Sequence, residues 1–138
     1  MNASNRKTLN TLLNALQVQR SKLESFSDLE VADFALLQVL AGALGDVHSE
    51  LQEVRDAEQE KFDNMPESLQ DSDRGQRMQE CIDALDAAES SMQDCIGNLE
   101  DAAPESDDDA LETFRDAITE ALSELEDTDS SISDAINA

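Results

Sequence analysis

Apolar residues recur at alternating steps of three and four through most of this chain, and a repeat of that period restricts it to packed α-helices. The longest run is Met78, Cys81, Leu85, Ala88, Met92, Cys95, Leu99 and Ala102, and a second is Leu111, Phe114, Ile118, Ala121, Leu125, Thr128, Ile132 and Ala135. Ile82 and Ile96 widen the first stripe, and Leu122 and Ile136 widen the second on the matching flank. Each helix therefore presents the broad face of a bundle member and not the narrow seam of a two-stranded coil. An earlier seam runs Leu37, Leu40, Leu44, Val47, Leu51 and Val54, with Val31 and Phe34 extending its apolar side. Leu9, Leu12, Leu13 and Leu16, with Leu23 two turns on, mark one more helix at the start. With four Phe and no Trp or Tyr, the core has to be aliphatic and lie between helices. The expected fold is all-α: an antiparallel helical bundle with coiled-coil-like heptad packing and about four helices.

Local signals divide these patterns. Residues 1–27 read as a short basic N-terminal helix, and 28–138 as an acidic three-helix bundle, the whole forming a single domain. Ser27 and Glu30 have capping-box spacing, which starts the second helix at about Asp28 and runs it to Phe62. Gly42 and Gly45 each cost about 1 kcal/mol in a helix interior. With Ala41 and Ala43 they predict close approach by another helix. The stretch 58–75 reads as a corner: Asn64 and Pro66 break the helix, and Ser72 caps the next, which runs from Asp73 to about Ala102. Pro104 stops that helix, and the short link to Ser106 lets the last two pack antiparallel. Asp107, Asp108 and Asp109 then fall in the first turn of the fourth helix, at the positive end of its dipole.

Charge is distributed unevenly along these elements. Net charge is −24, but residues 1–27 carry +3, residues 28–77 carry −9, and residues 78–138 carry −18 with Arg115 as their one base. Within the last two helices the acids face away from the seams. Glu80, Asp83, Asp86, Asp94, Glu100 and Asp101 do so on the third, and Glu112, Asp116, Glu120, Glu126, Asp127 and Asp134 on the fourth. Glu89, Glu124 and Asp129 flank the seams. A solvated helix face ordinarily alternates charge signs and gains i,i+4 pairs; these helices forgo them. Two helices about 45 Å long with 19 acids carry roughly one charge per 2.4 Å, against one per ~1.7 Å on duplex DNA. Such a surface repels nucleic acid and anionic membranes and attracts basic proteins. The candidate partner-binding face comprises Asp83, Asp86, Asp94, Glu100, Asp101, Asp107, Asp108, Asp109, Glu112, Asp116, Glu120, Glu126 and Asp127.

Other chemistry finds little footing. His48 is the only histidine and has no Cys or Glu-x-x-His context, so neither a zinc nor a di-iron site is expected. Asp127 and Asp129 open an Asp-x-Asp run, but Ile132 and Ala138 stand where a calcium loop needs Gly and Glu. No nucleophile–base pair and no Gly-rich phosphate loop can be assembled, so neither catalysis nor a cofactor is expected. Cys81 and Cys95 are two heptads apart on one seam, about 21 Å, too far to bridge within a chain. No apolar run approaches the ~20 residues of a membrane span, and the expected location is the cytoplasm.

At the corner, Phe62, Met65 and Leu69 lie between Glu58, Glu60, Asp63 and Glu67. They read either as a plug for the end of the bundle or as an alternative partner contact. The string Glu60, Phe62, Asn64, Pro66, Glu67, Ser68, Leu69 and Gly75, followed by an Ala/Leu helix, resembles that of small acidic helical proteins encoded by bacteriophages and mobile elements. The resemblance covers roughly 40 residues. In composition the chain is also similar to anti-CRISPR and anti-restriction DNA mimics. These likenesses imply a non-enzymatic phage inhibitor whose acidic face occupies a basic nucleic-acid-binding protein or complex of the bacterial host, with no direct nucleic-acid or membrane contact. The alternative is a structural or adaptor protein of phage assembly working through helix–helix contacts and self-association, with a homodimer open in either case.

Overall fold

A computed structural model describes residues 1–103 and 107–138, with the backbone alone described at Asp107. Its helices are α1 (Ala3–Phe26), α2 (Phe34–Asp63), the single turn α3 (Glu67–Gln70), α4 (Asp73–Asp101) and α5 (Ala110–Asn137), the last preceded by a 3-10 turn over Asp107–Asp109. No strand occurs among the described residues. The expected stop at Pro104 lies outside them. No helix among them is long and apolar enough to cross a membrane.

The four long helices form an antiparallel ring in the order α1, α2, α4, α5, with α5 closing back on α1. All the seam positions read from the sequence are buried, apart from Leu13, Leu111 and Ala102, which are half-buried at the edges. Apart from Met78 and Thr128, they join one contiguous core. Packing is most extensive between α4 and α5. Their seams alternate small and large residues: Cys81, Ala88 and Cys95 with Leu85, Met92 and Leu99 on α4, and Ala121, Thr128 and Ala135 with Leu125 and Ile132 on α5. The Cys95 thiol donates to the Ala121 carbonyl at 3.6 Å, so small residue meets small residue and the two backbones approach closely. Phe114, fully buried near the start of α5, meets Phe34 edge to face, with ring centroids 5.7 Å apart.

Several local expectations need correction. The N-terminal helix is 24 residues long and is a full member of a four-helix bundle, with Leu9, Leu12, Leu16 and Leu23 in the shared core. Ser27 does not cap α2. Its hydroxyl donates back to the Glu24 carbonyl at 2.6 Å and closes α1, and residues 27–33 make a turn before α2 begins at Phe34. Val31, outside any helix, is consequently 75% exposed. The three aspartates 107–109 precede α5 as a separate turn. Gly42 and Gly45 face away from the core: a Cβ built at either meets nothing within 4 Å, so no helix approaches them.

The corner is built differently from a plug. Asn64 ends α2, Pro66 starts α3, and the Gln70 amide donates to the carbonyls of Phe62 at 2.9 Å and Met65 at 3.3 Å. Ser72 caps α4 by accepting from the Gly75 amide at 3.3 Å. Phe62 and Met65 are only half-buried, Leu69 is 46% exposed, and none of the three joins the contiguous core. What closes the corner is Gly75, whose missing side chain leaves room for the Leu69 and Gln70 carbonyls; a Cβ there would overlap both. The glycines therefore predict opposite outcomes in thermal denaturation. Gly75→Ala should lower Tm sharply because backbone must move, while Gly42→Ala and Gly45→Ala should each raise stability by about 0.4–1 kcal/mol.

Candidate functional site

Two arginines from the basic side of the bundle tie down acids at the edges of the α4–α5 face. Arg55 of α2 donates from Nε to Asp86 of α4 at 2.6 Å, and its guanidinium is held more firmly protonated by the Asp86 and Asp56 carboxylates. Arg20 of α1 donates to Asp129 of α5 at 3.0 Å. Glu89 accepts from Gln52 at 2.7 Å and has His48 Nε2 at 3.8 Å. Each contact crosses from the α1–α2 side to the α4–α5 side, so the flanking acids are tied to neighbouring helices. Arg115, the single base of the acidic half, donates to the Leu29 carbonyl at 3.2 Å and is in no ion pair among the described residues.

The rest of the candidate face is left as an open crest over α4 and α5. Asp83, Asp94, Glu100, Asp101, Asp108, Asp109, Glu112, Asp116, Glu120, Glu126 and Asp127 are exposed, and Asp83 accepts a bond from Gln79 on the preceding turn at 2.9 Å. Asp86 is the member that does not belong, since Arg55 draws it to the α2 boundary. The side chain of Asp107 lies outside the described residues. None of Asp94, Glu100, Asp101, Glu112, Asp116, Glu120, Glu126 and Asp127 is in an ion pair among the described residues.

The burial pattern sharpens the charge density. Of the acids in residues 78–138, 13 are exposed among those described. Spread over helices about 44 Å long, they give roughly one charge per 3.4 Å; of the six acids that separate this from the count in the sequence, Asp86, Glu89, Glu124 and Asp129 sit at helix interfaces, and Glu105 and the Asp107 side chain lie outside the described residues. That spacing is of the same order as the phosphate spacing along one strand of DNA, about 3.4 Å.

Within the crest, a cleft of about 320 Å³ opens between the C-terminal end of α4 and the start of α5, where Asp101, Asp116 and Glu120 converge beside Asn98 and Thr113. Among the described residues no three His, Cys, Asp or Glu side chains are arranged to hold a metal ion. The cleft suits a protruding Lys or Arg side chain, whose donors three carboxylates can share.

Glu124 shows how strained the charge balance is at the edge of this crest. It is half-buried between α4 and α5, accepting from the Asn98 amide at 2.6 Å while its Oε2 has no partner. Burial first, then the Glu120 and Asp94 carboxylates, push its pKa above the ordinary 4.5, against the pull of Asn98. Asp129 is likewise raised by burial, which Arg20 only partly offsets. Beneath them the Cys95 thiol is pushed up to about 12 by burial and by Glu124, so it is a core thiol and not a nucleophile.

The sequence reading missed Glu58. It is fully buried, with Oε1 accepting from the Asn5 amide at 2.6 Å and from Lys61 at 3.2 Å, and Oε2 left without a partner. The signal was present, since position 58 is the next step of the α2 repeat after Leu51 and Val54.

Comparison with known proteins finds no match: no family model fits the chain, and no curated protein and no solved structure resembles it. Function has therefore to be argued from the crest itself.

The raised values carry a pH prediction. Because the folded protein holds a proton on Glu124 more tightly than the unfolded chain does, stability falls as pH rises through the window above 4.5. Thermal melts from about pH 7 down to about pH 5 should show Tm rising. Glu124→Gln, which keeps the Asn98 bond, should flatten that rise.

Proposed function

We propose that the protein is a non-enzymatic inhibitor whose α4–α5 crest occupies a basic nucleic-acid-binding surface of a host defence complex, as phage-encoded anti-CRISPR and anti-restriction DNA mimics do. It works in the bacterial cytoplasm and binds protein, not nucleic acid. The observation that carries this reading is the crest of exposed carboxylates, of which Asp94, Glu100, Asp101, Glu112, Asp116, Glu120, Glu126 and Asp127 are in no ion pair among the described residues, while Arg20 and Arg55 bond acids at its edges. A groove shaped to grip one nucleic-acid backbone with Lys and Arg meets comparable charge at comparable intervals. The cleft at Asp101, Asp116 and Glu120 gives one basic side chain a fixed position and so a register.

One observation favours a second reading, an adaptor that binds another helical protein through the corner: Leu69 is exposed and Phe62 and Met65 stand outside the core. The seams themselves give that reading no help, because they are buried within a single chain.

Capture on immobilised protein from a bacterial lysate, followed by affinity measurements on the identified partner across a salt series, separates the two. The mimic is expected to lose affinity steeply with salt, to be displaced by the partner's own nucleic acid, and to weaken by about tenfold or more in Asp101→Asn/Asp116→Asn/Glu120→Gln. Met65→Ser/Leu69→Ser should leave it unchanged. Salt-insensitive binding, or binding abolished only by the Met65/Leu69 variant, would favour the adaptor.

A further inference from the structure

The chain has nine Lys and Arg, and four of them, Arg6, Lys61, Arg74 and Arg77, line one cavity of about 420 Å³. They come from three helices, the first turn of α1, the end of α2 and the start of α4, and the bundle alone brings them together. In a protein with 33 acidic residues, a free arginine would be expected to find a carboxylate. Arg20 and Arg55 do so, whereas Arg6, Arg74 and Arg77 pair with none among the described residues. These three guanidiniums are exposed, at the mouth of the cavity and free to bond.

The cavity also contains a specific acceptor. Glu58 is a lining residue and is fully buried; Asn5 and Lys61 both bond its Oε1, while Oε2 is buried and unpartnered. Shielding Glu58 does not account for the arginines, since none of them bonds it, and the lining side chains set one carboxylate against four cations, a side-chain charge of about +3, with Met1, Asn2, Met78 and Ala138 completing the wall. A buried carboxylate oxygen without a donor is costly, and a ligand that fills the cavity has to bring that donor. The N-termini of α1 and α4 and the C-termini of α2 and α5 meet at this end of the bundle, so the helix dipoles offset one another and the charge of the site is that of its side chains.

We propose that this cavity binds the protonated phosphate group of a small ligand, with Arg6, Arg74 and Arg77 holding the anionic oxygens and Glu58 Oε2 accepting the P–OH proton. Arginine forks suit a tetrahedral oxyanion. The carboxylate makes the site selective, because inorganic phosphate keeps an O–H throughout the near-neutral range and sulfate does not, while a phosphate monoester keeps one only as its monoanion, which loses that proton at about pH 6. With Met1 and Met78 as its apolar lining and no aromatic ring, the cavity offers nothing for a nucleobase to stack on, so the ligand is inorganic phosphate or a monoester of a small polar alcohol. This site is separate from the acidic crest and stands whether or not the crest is a mimic.

The test is isothermal titration calorimetry and thermal shift on the full chain with inorganic phosphate, glycerol 3-phosphate, sulfate and chloride at matched ionic strength and near-neutral pH. Saturable binding of phosphate or the monoester, with sulfate weaker, is expected; the tighter of the first two identifies the natural source. Arg74→Ser/Arg77→Ser should weaken it by about tenfold or more. Lys22→Ser/Arg115→Ser, removing the same charge at the opposite end, should leave it unchanged. Glu58→Gln, which supplies an amide donor in place of the acceptor, should erase the preference for phosphate over sulfate. Equal effects of all four anions, or binding that survives the Arg74/Arg77 change, would overturn the proposal. So would self-association lost in that variant without any phosphate binding, which would assign the arginines to the acidic face of a second copy.

Discussion

The α4–α5 seam is the constraint on which the rest of the molecule depends, because it holds together the two helices that charge drives apart. A fully buried aliphatic side chain contributes about 1.5–3 kcal/mol. Two like charges ~10 Å apart in water cost about 0.4 kcal/mol before salt screening. Every heptad of the pair buries several apolar side chains and exposes a few acids, so burial wins locally even when no base is present. The small-against-small layers at Cys95 and Ala121 bring the backbones close, and this raises dispersion contacts where they are needed. A crest so rich in carboxylates can exist because its stability comes from the opposite face of the same helices.

The arginines on the other side of the bundle finish that arrangement. Arg20 and Arg55 neutralise acids at the two edges of the crest, where burial makes bare charge expensive, and do not reach its centre. Glu124 and Asp129 mark the line at which this provision runs short: both are partly buried, both keep an oxygen without a partner, and both have raised pKa values. Charge density therefore stops rising toward the seam because desolvation opposes it, and peaks on the exposed ridge where water supports it.

Periodicity made the helices and their inward faces legible before any coordinates, since an apolar stripe at 3,4 spacing can be satisfied in one way only. Boundaries were less legible. Ser27 three residues before Glu30 fits an N-cap, but a serine hydroxyl also bonds back to a carbonyl three residues earlier, and here that alternative ends α1. Gly42 and Gly45 announced a cost in helix propensity without saying whether a neighbour repaid it, and none does. Glu58 was hidden by its own chemistry: a carboxylate in a charged stretch reads as surface even where the repeat places it inside. The basic cavity was invisible because Arg6 and Arg74 are far apart in the chain, and only the ring order of the helices makes them neighbours.

That ring order also sets how the two charged regions relate. The cavity lies where α4 begins and the acidic cleft where it ends, near Asp101, a separation of about 40 Å along the helix. With a Debye length of ~8 Å at physiological salt, neither region feels the other through solvent. An anion in the cavity would leave the potential of the crest unchanged, and a basic partner on the crest would not draw an anion away from the cavity. Communication between them would have to pass along α4 as a shift of the helix, and the close α4–α5 packing resists such a shift. The molecule thus carries two regions of opposite charge at the two ends of one rigid helix, close enough to share a scaffold and far enough apart to be electrostatically independent.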